Sequence, residues 1–410
     1  MLPVATQCCI VGGGPAGMML GLLLARAGVS VEVLEKHSDF LRDFRGDTIH
    51  PSTLEVLYEL GLLDELLALP HQKATTLNGV VGGTHVVMAD FSHLPVHCPY
   101  IVFMPQWDFL NFLARQAAKY PGFSLRMATE GIGLIEADGR ITGVRASGTA
   151  GPFDLHATLT VAADGRRSMM RENAGLIVED IGAPMDVLWF ALSRKDGDRH
   201  EIAGRFDRGR IMVQIDRGSH WQCGYVIAKG SAGVLRAQGI AAFRDAVASV
   251  SDFDTAQLAE LASFDQVKLL TVGLDRLKQW WMPGLLCIGD AAHTMSPLGG
   301  VGINLAIQDA VAAANQLAAP LRAGTLADAD LRHVQARRQW PVRITQAIQL
   351  AIQNAIIGPA LGSQETPADG HTPVPFALSA LQRFPMLRRI PARMIGMGVR
   401  PEHVHTPLLA

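Results

Sequence analysis

The feature that most restricts the fold lies near the amino terminus, where the apolar run Cys8–Val11 meets Gly12-Gly13-Gly14-Pro15-Ala16-Gly17. Met18–Ala27 follows, rich in Leu, Met and Ala, and a second β-rich run, Val29–Leu34, ends at Glu35, 18 positions after Gly17. This is G-x-G-x-x-G set between a strand and a helix, with an acid closing the next strand. Gly12 permits the tight turn, Gly14 lets backbone N–H groups approach a pyrophosphate, and Gly17 lets the helix pack closely on the strand. The helix start then offers unpaired donors and a positive dipole end to phosphates, while Glu35 accepts from ribose hydroxyls. An acid in that position favours an unphosphorylated adenosine ribose, hence FAD or NAD over NADP. The motif alone does not choose between those two. Gly12, Gly14, Ala16, Gly17, Glu35 and the adjacent Lys36 are the candidate contacts.

A late segment makes the choice. Leu285–Ile288 is a buried-strand pattern, followed by Gly289-Asp290-Ala291-Ala292-His293-Thr294-Met295-Ser296-Pro297-Leu298-Gly299-Gly300-Val301-Gly302-Ile303-Asn304, after which Ile303–Leu317 is Ala-rich and helical. A strand thus delivers an aspartate, a Pro/Gly turn passes over something flat, and a helix start points back at it. That arrangement suits a flavin. Asp290 binds ribityl hydroxyls, the N–H groups about Gly300, Gly302, Ile303 and Asn304 meet negative charge on the pyrimidine end of a reduced ring, and the glycines keep side chains off its face.

Between these lies Thr160–Arg171, a strand ending in Asp164-Gly165, then Arg166-Arg167-Ser168-Met169-Met170-Arg171. With G-x-G-x-x-G at Gly12–Gly17, D-G-x-x-S-x-x-R at Asp164–Arg171 and G-D-A-A-H-x-x-x-P-x-x-G-x-G-x-N at Gly289–Asn304, the chain resembles the single-component FAD-dependent aromatic hydroxylases related to p-hydroxybenzoate hydroxylase. The three motifs stand in the family's order and bracket most of the first 320 residues. The resemblance implies that Asp290 contacts the ribityl chain and that Pro297, the one catalytic candidate, lies beside the ring carbon where a hydroperoxide forms. It further implies that Asp164 lies near the pyrophosphate and assists nicotinamide binding, and that Arg45 contacts FAD. Gln106 stands where many relatives have an arginine that touches the flavin, a departure from the pattern. The implied reaction is hydroxylation of an aromatic or heteroaromatic small molecule by FAD, dioxygen and NADH or NADPH.

Composition closes off other classes. Lys plus Arg total 36 against 38 Asp plus Glu, a formal net charge of -2, so the basic footprint of a nucleic-acid binder is missing. Apolar stretches are interrupted, the first by Arg26 and the late one by Gln349, Gln353 and Asn354, before the roughly 20 residues a membrane span needs. Met1–Gln7 has no basic n-region, so the expected location is the cytoplasm. Five cysteines include no C-x-x-C and no zinc-type spacing, and Cys8, Cys9 and Cys287 fall in apolar strand-like runs as small buried thiols; no metal ligands are assigned.

The fold class expected is α/β: a Rossmann-like FAD-binding domain with an inserted, mainly antiparallel substrate sheet and a C-terminal helical region. The expected boundaries are 1–75, 98–180 and 268–330 for the discontinuous FAD-binding domain, 76–97 and 181–267 for the substrate domain, and 331–410 for the helical region. The alternation of Ile211, Val213 and Ile215 with Met212 and Gln214, and the partner run about Trp221, Tyr225 and Val226, carry the inserted sheet. Ser52 and Glu55 read as a capping box for a helix reaching Leu60. Asp330–Asn354 reads as helical with a break at Pro341, Gly358–Asp369 as a loop, and Phe376–Gly398 as apolar helical turns bearing Arg383, Arg388, Arg389 and Arg393, a solvated face covering the core.

With one nucleotide fingerprint in the chain, FAD is resident and NAD(P)H docks transiently. His50, Tyr225 and His293 are candidates for deprotonating a phenolic guest, and Arg205 and Gln214 for meeting a polar substituent. Two other classes share the cofactor site: a FAD-dependent dehydrogenase or reductase without oxygen insertion, and a non-catalytic FAD-bound sequestering protein. Oxygen uptake in step with product separates all three. A homo-oligomer is left open.

Overall fold

The computed structural model describes residues 4–41, 48–196, 203–207, 209–358 and 376–409. Two sheets organise them. The nucleotide sheet has eight strands, running from Trp281–Met282 through Leu285–Cys287, Gly151–Ala162, Val4–Val11 and Val31–Leu34 to Phe123–Arg126, with Arg140–Gly148 paired antiparallel to Gly151–Ala162 and Glu130–Ala137 antiparallel to Arg140–Gly148. Leu285–Cys287, Gly151–Ala162, Val4–Val11, Val31–Leu34 and Phe123–Arg126 are mutually parallel. Their unbroken apolar runs are what burial on both faces demands: Cys8, Cys9, Ile10, Leu159 and Val161 are all fully buried. Helix Pro15–Arg26 is the crossover between the first two parallel strands and is buried from Ala16 to Ala25.

The second sheet, the guest sheet of the expected substrate domain, has seven strands in the order Lys268–Leu270, Met185–Ser193, His220–Ala228, Arg210–Asp216, Ala203–Asp207, Thr76–Val81, Thr84–Asp90. All its pairings are antiparallel except Ala203–Asp207 with Thr76–Val81. Period-two alternation sorts its side chains. Leu188, Phe190, Met212, Cys223 and Tyr225 pack with Phe243 of helix Ala232–Ala248 on the back. Met185, Val187, Ile211 and Val226 form the front, where Leu298 of the late glycine turn and Ile357 join them.

Helix Asp328–Ile352 passes through Pro341 without ending, so the expected break is corrected. Proline removes one intrahelical hydrogen bond, and burial of Val334, Arg338, Pro341 and Val342 holds the helix together across it. A single π turn, Gln353–Ile357, follows. The expected capping box is also corrected. Helix Pro51–Glu59 starts earlier, at N-cap His50, because Pro51 fits the first helical turn, and Glu55 instead accepts from His97 Nδ1 at 2.9 Å. Most of the expected loop Gly358–Asp369 lies outside the described residues. The turns Phe376–Arg383, Pro385–Arg388 and Arg389–Gly396 are helical as expected. Among the described residues no helix is long and apolar enough to cross a membrane.

Candidate active site

Strand register brings the three motifs together. Val11 pairs with Leu34 on one side and Ala162 on the other, and Ala162 pairs with Cys287, so four parallel strands end level. Gly12, Glu35, Asp164 and Asp290 therefore emerge side by side at the carboxyl edge, where open parallel sheets bind ligands. The approach is close enough to require glycine. A Cβ on Gly12, at φ +109°, would stand 2.3 Å from the Ala163 carbonyl oxygen, and one on Gly17 would stand 2.0 Å from the Gly12 oxygen. Ala16 is a packing residue of the same corner, its methyl 3.2 Å from the Cβ position of Gly289.

The groups present fit a dinucleotide. A Cβ at Gly14 or Gly302 would meet nothing within 4 Å, so both positions open onto free space. Each borders or begins a helix, Pro15–Arg26 and Gly302–Ala323, whose start has no side-chain cap and whose first turn has no acidic residue. Two sets of backbone donors thus face the same carboxyl edge without an internal competitor, an arrangement suited to anionic ligand groups. Glu35, 7% exposed, accepts from Gly13 N–H at 3.0 Å and His37 N–H at 2.9 Å. Asp164 accepts from Met170 N–H at 3.2 Å through Oδ2, while Oδ1 is buried without a partner. Burial raises its carboxyl pKa despite hydrogen bonds from Ser168 and Met170.

Arg171 fastens the second motif to the third. Its guanidinium donates to Arg166 O at 2.6 Å and Ala291 O at 3.2 Å, and Ser168 Oγ caps its helix by accepting Arg171 N–H at 3.1 Å. Asp290 lies 3.9 Å from Arg166, its side chain 38% exposed at the strand edge. Behind it, buried Asp309 accepts from Gly289 N–H at 3.1 Å, and contacts His293 Nε2 at 2.6 Å and Arg338 Nε at 2.9 Å; Arg338 reaches Glu402 at 3.2 Å. Burial alone would raise the Asp309 pKa, but His293 and Arg338 outweigh it and the carboxyl is lowered.

The Pro297 turn runs exposed along the seam between the sheets. A Cβ on Gly300, at φ +63°, would stand 2.6 Å from Thr48 Oγ1, and Thr48 Oγ1 donates to Gly300 O at 3.1 Å. Asn304 is a clamp: its Oδ1 accepts from His50 N–H at 2.9 Å and Thr53 Oγ1 at 2.7 Å. Ile303 is half-buried beside it. His50 is wholly buried, and burial lowers its pKa to about 4; Nδ1 donates to Ile395 O at 2.8 Å, which leaves Nε2 as an unpartnered acceptor.

The family described as "FAD binding domain" matches residues 5–346. The 6-methylpretetramide 4-monooxygenase of Streptomyces rimosus is 32% identical over 336 residues, covering 82% of this chain and 80% of the relative. The chain belongs to the FAD-dependent aromatic hydroxylases. A rifampicin monooxygenase of Streptomyces venezuelae is 28% identical over 73% of this chain, which spans 61% of that relative. The crystal structure of PqsL from Pseudomonas aeruginosa in complex with 2-aminobenzoylacetate has the same fold, with a TM-score of 0.75 at 22% identity over 87% of this chain and 98% of that one. FAD is the cofactor.

Other sequence candidates separate in space. Lys36 is exposed just beyond Glu35, Gln106 begins helix Gln106–Ala117 half-buried, and Arg45 lies outside the described residues. Arg205 and Gln214 face the back of the guest sheet, where Arg205 Nε donates to Gln214 Oε1 at 2.7 Å and the guanidinium pairs with Asp252. Tyr225 also points back, its ring centroid 5.6 Å from that of Phe243. His293 is engaged by Asp309. These four are thereby corrected as guest contacts; alternation alone does not say which face of a sheet meets the cofactor. Sequence reasoning passed over Trp189, which lies across Gly224 on the front face, ring atoms 3.1 Å from the Cβ position, with Nε1 buried and unpartnered. A glycine opposite a tryptophan in a strand was the available signal. It also read Gln349 and Gln353 only as interruptions of an apolar run.

Proposed function

We propose that this chain hydroxylates a planar aromatic or heteroaromatic small molecule, consuming NAD(P)H and dioxygen. One oxygen atom enters a C–H bond of the guest; the other leaves as water with two electrons from NAD(P)H and a proton. When bound, FAD supplies the acceptance of hydride and the activation of dioxygen. The observation that carries the reading is the meeting, at one sheet edge, of two uncapped, acid-free helix starts with a proline turn that faces an apolar sheet.

The chain's own groups divide the remaining tasks. Gly12, Gly14, Ala16 and Gly17 shape the pyrophosphate cradle, and Glu35 and Lys36 flank the adenosine ribose. Arg45, Gln106 and Asp164 contact the cofactor, and Asp290 accepts from the ribityl hydroxyls. N–H groups of Gly300, Gly302, Ile303 and Asn304 would meet negative charge on the bound cofactor, and Pro297 would hold the turn between cofactor and guest. The front face of the guest sheet excludes water, which a reactive oxygen donor requires. Trp189 Nε1 supplies a donor there for an oxygen substituent. The relatives' names, 6-methylpretetramide and rifampicin, support a large oxygen-bearing aromatic guest.

The test is NADH and NADPH oxidation with oxygen uptake against phenols, quinolones and polycyclic aromatics under isotopically labelled dioxygen. Product carrying one labelled oxygen atom, formed in step with NAD(P)H loss, is expected. Turnover that proceeds without oxygen rejects the hydroxylase reading.

A further inference from the structure

We infer that Gln349, supported by Gln346 and Gln353, is a positioning residue that sets the pose of the Pro297 turn. The three glutamines lie at i, i+3 and i+7, one face of the helix that continues into the π turn. They are 1%, 4% and 0% exposed in chain order, and each is spent on the segment that carries Pro297. Gln346 Nε2 donates to Thr294 O at 3.0 Å and to Asp275 O at 2.8 Å. Gln349 holds Ser296 from both sides: Oε1 accepts Ser296 N–H at 3.1 Å, and Nε2 donates to Ser296 O at 3.0 Å and to Leu298 O at 3.1 Å. Gln353 Nε2 donates to Ser296 Oγ at 2.7 Å.

An uncharged amide is the side chain that can read a peptide N–H and a C=O together. Leucine would fill the volume but leave three backbone groups of the turn unpaired and buried. The turn's own short-range bonds are few, chiefly Gly300 N–H to Pro297 O at 3.0 Å. The same helix ends on Ile357, packed with Met185, Val187 and Val226 of the guest sheet. One element therefore touches both the Pro297 turn and the front of the seven-stranded sheet, and it holds the turn by hydrogen bonds and the sheet by apolar contact.

Generic destabilisation has a comparison on the same helix, a half-buried clamp of the same kind. Gln335 accepts Trp280 N–H at 3.1 Å and donates to Lys278 O at 3.0 Å, the same kind of backbone clamp on a segment that does not carry Pro297. The experiment compares Gln349→Leu, the milder Gln353→Leu and Gln335→Leu in the FAD-loaded protein. It reads amide hydrogen exchange over residues 294–298, bound-flavin fluorescence, and the share of NAD(P)H electrons lost to hydrogen peroxide. Gln349→Leu is expected to speed exchange over 294–298 by about tenfold, the effect of losing a buried hydrogen bond, to change the flavin fluorescence, and to raise the peroxide share. Gln353→Leu moves all three less and in the same direction; Gln335→Leu moves none of them. Equal peroxide loss in Gln335→Leu and Gln349→Leu, or unchanged exchange over 294–298 in both ladder variants, overturns the assignment. The inference rests on the proposed reaction only for its peroxide arm. If the unaltered protein gives no coupled hydroxylation, that reading fails, while exchange and fluorescence still decide the ladder.

Discussion

The two sides of the active site are built on opposite principles. On the nucleotide side the decisive residues act by what they lack: Gly12 and Gly17 permit contacts no side chain would survive, and Gly14 and Gly302 leave open space over backbone donors. On the proposed guest side the residues act by bulk, with Met185, Val187, Trp189, Ile211 and Val226 forming an apolar wall while Arg205 and its partner Asp252 are turned to the back. A site for a ligand of fixed shape can be made from main chain, whose geometry is set by spacing. A site for a variable guest is made from side-chain volume, which substitution changes without disturbing the fold.

The contrast is most easily broken at its buried charges. Asp309→Ala would leave Arg338, fully buried, facing Glu402 without its other partner, and the expected loss is about 3–5 kcal/mol of stability in chemical denaturation. A loss below 1 kcal/mol would show that the network is not a structural support of the flavin turn. At the seam between the sides, His50 is held neutral, with a pKa near 4 against an ordinary 6.5. The unfolded chain binds the extra proton between those values, so the His50 contribution is complete above pH 6.5 and falls as pH drops toward 4, by up to about 3 kcal/mol. Stability profiles over that range should flatten in His50→Gln; parallel profiles for variant and parent would remove His50 from the seam.

On the cofactor side, Asp290→Ala should weaken FAD binding about a hundredfold through loss of charge-assisted hydrogen bonds. Equilibrium dialysis measures this, and an unchanged dissociation constant would detach Asp290 from the ribityl chain. The smallest effect is expected on the back of the guest sheet. Arg205→Ala should leave KM for the guest within about twofold, because the guanidinium pairs with Asp252 and Gln214 on the back of the sheet, and a tenfold rise would place Arg205 in the guest space after all.

The same contrast explains what was legible in the sequence. The three glycine motifs announced their strands, turns and helices because each glycine answers to a backbone constraint. The alternation over Arg210–Ile227 announced a hairpin, yet it did not say that Tyr225 and Gln214 face helix Ala232–Ala248. That choice is made by the apolar side chains of both layers at once. Pro341 suggested a helix break because proline removes a local bond, whereas burial of Arg338 and Val342 is a long-range effect invisible to local pattern. Ser52 and Glu55 fit a capping box by spacing, but Glu55 found His97, 42 positions away. Gln349 and Gln353 looked like polar interruptions because their partners, 51 to 57 positions distant, appear only in three dimensions.

The most direct measurement of the central claim is the binding of FAD to the stripped, unaltered protein, followed by visible absorbance and flavin fluorescence. Saturation at one FAD per chain with a perturbed flavin spectrum is expected. A protein that is colourless as purified and does not take up FAD on titration would contradict it.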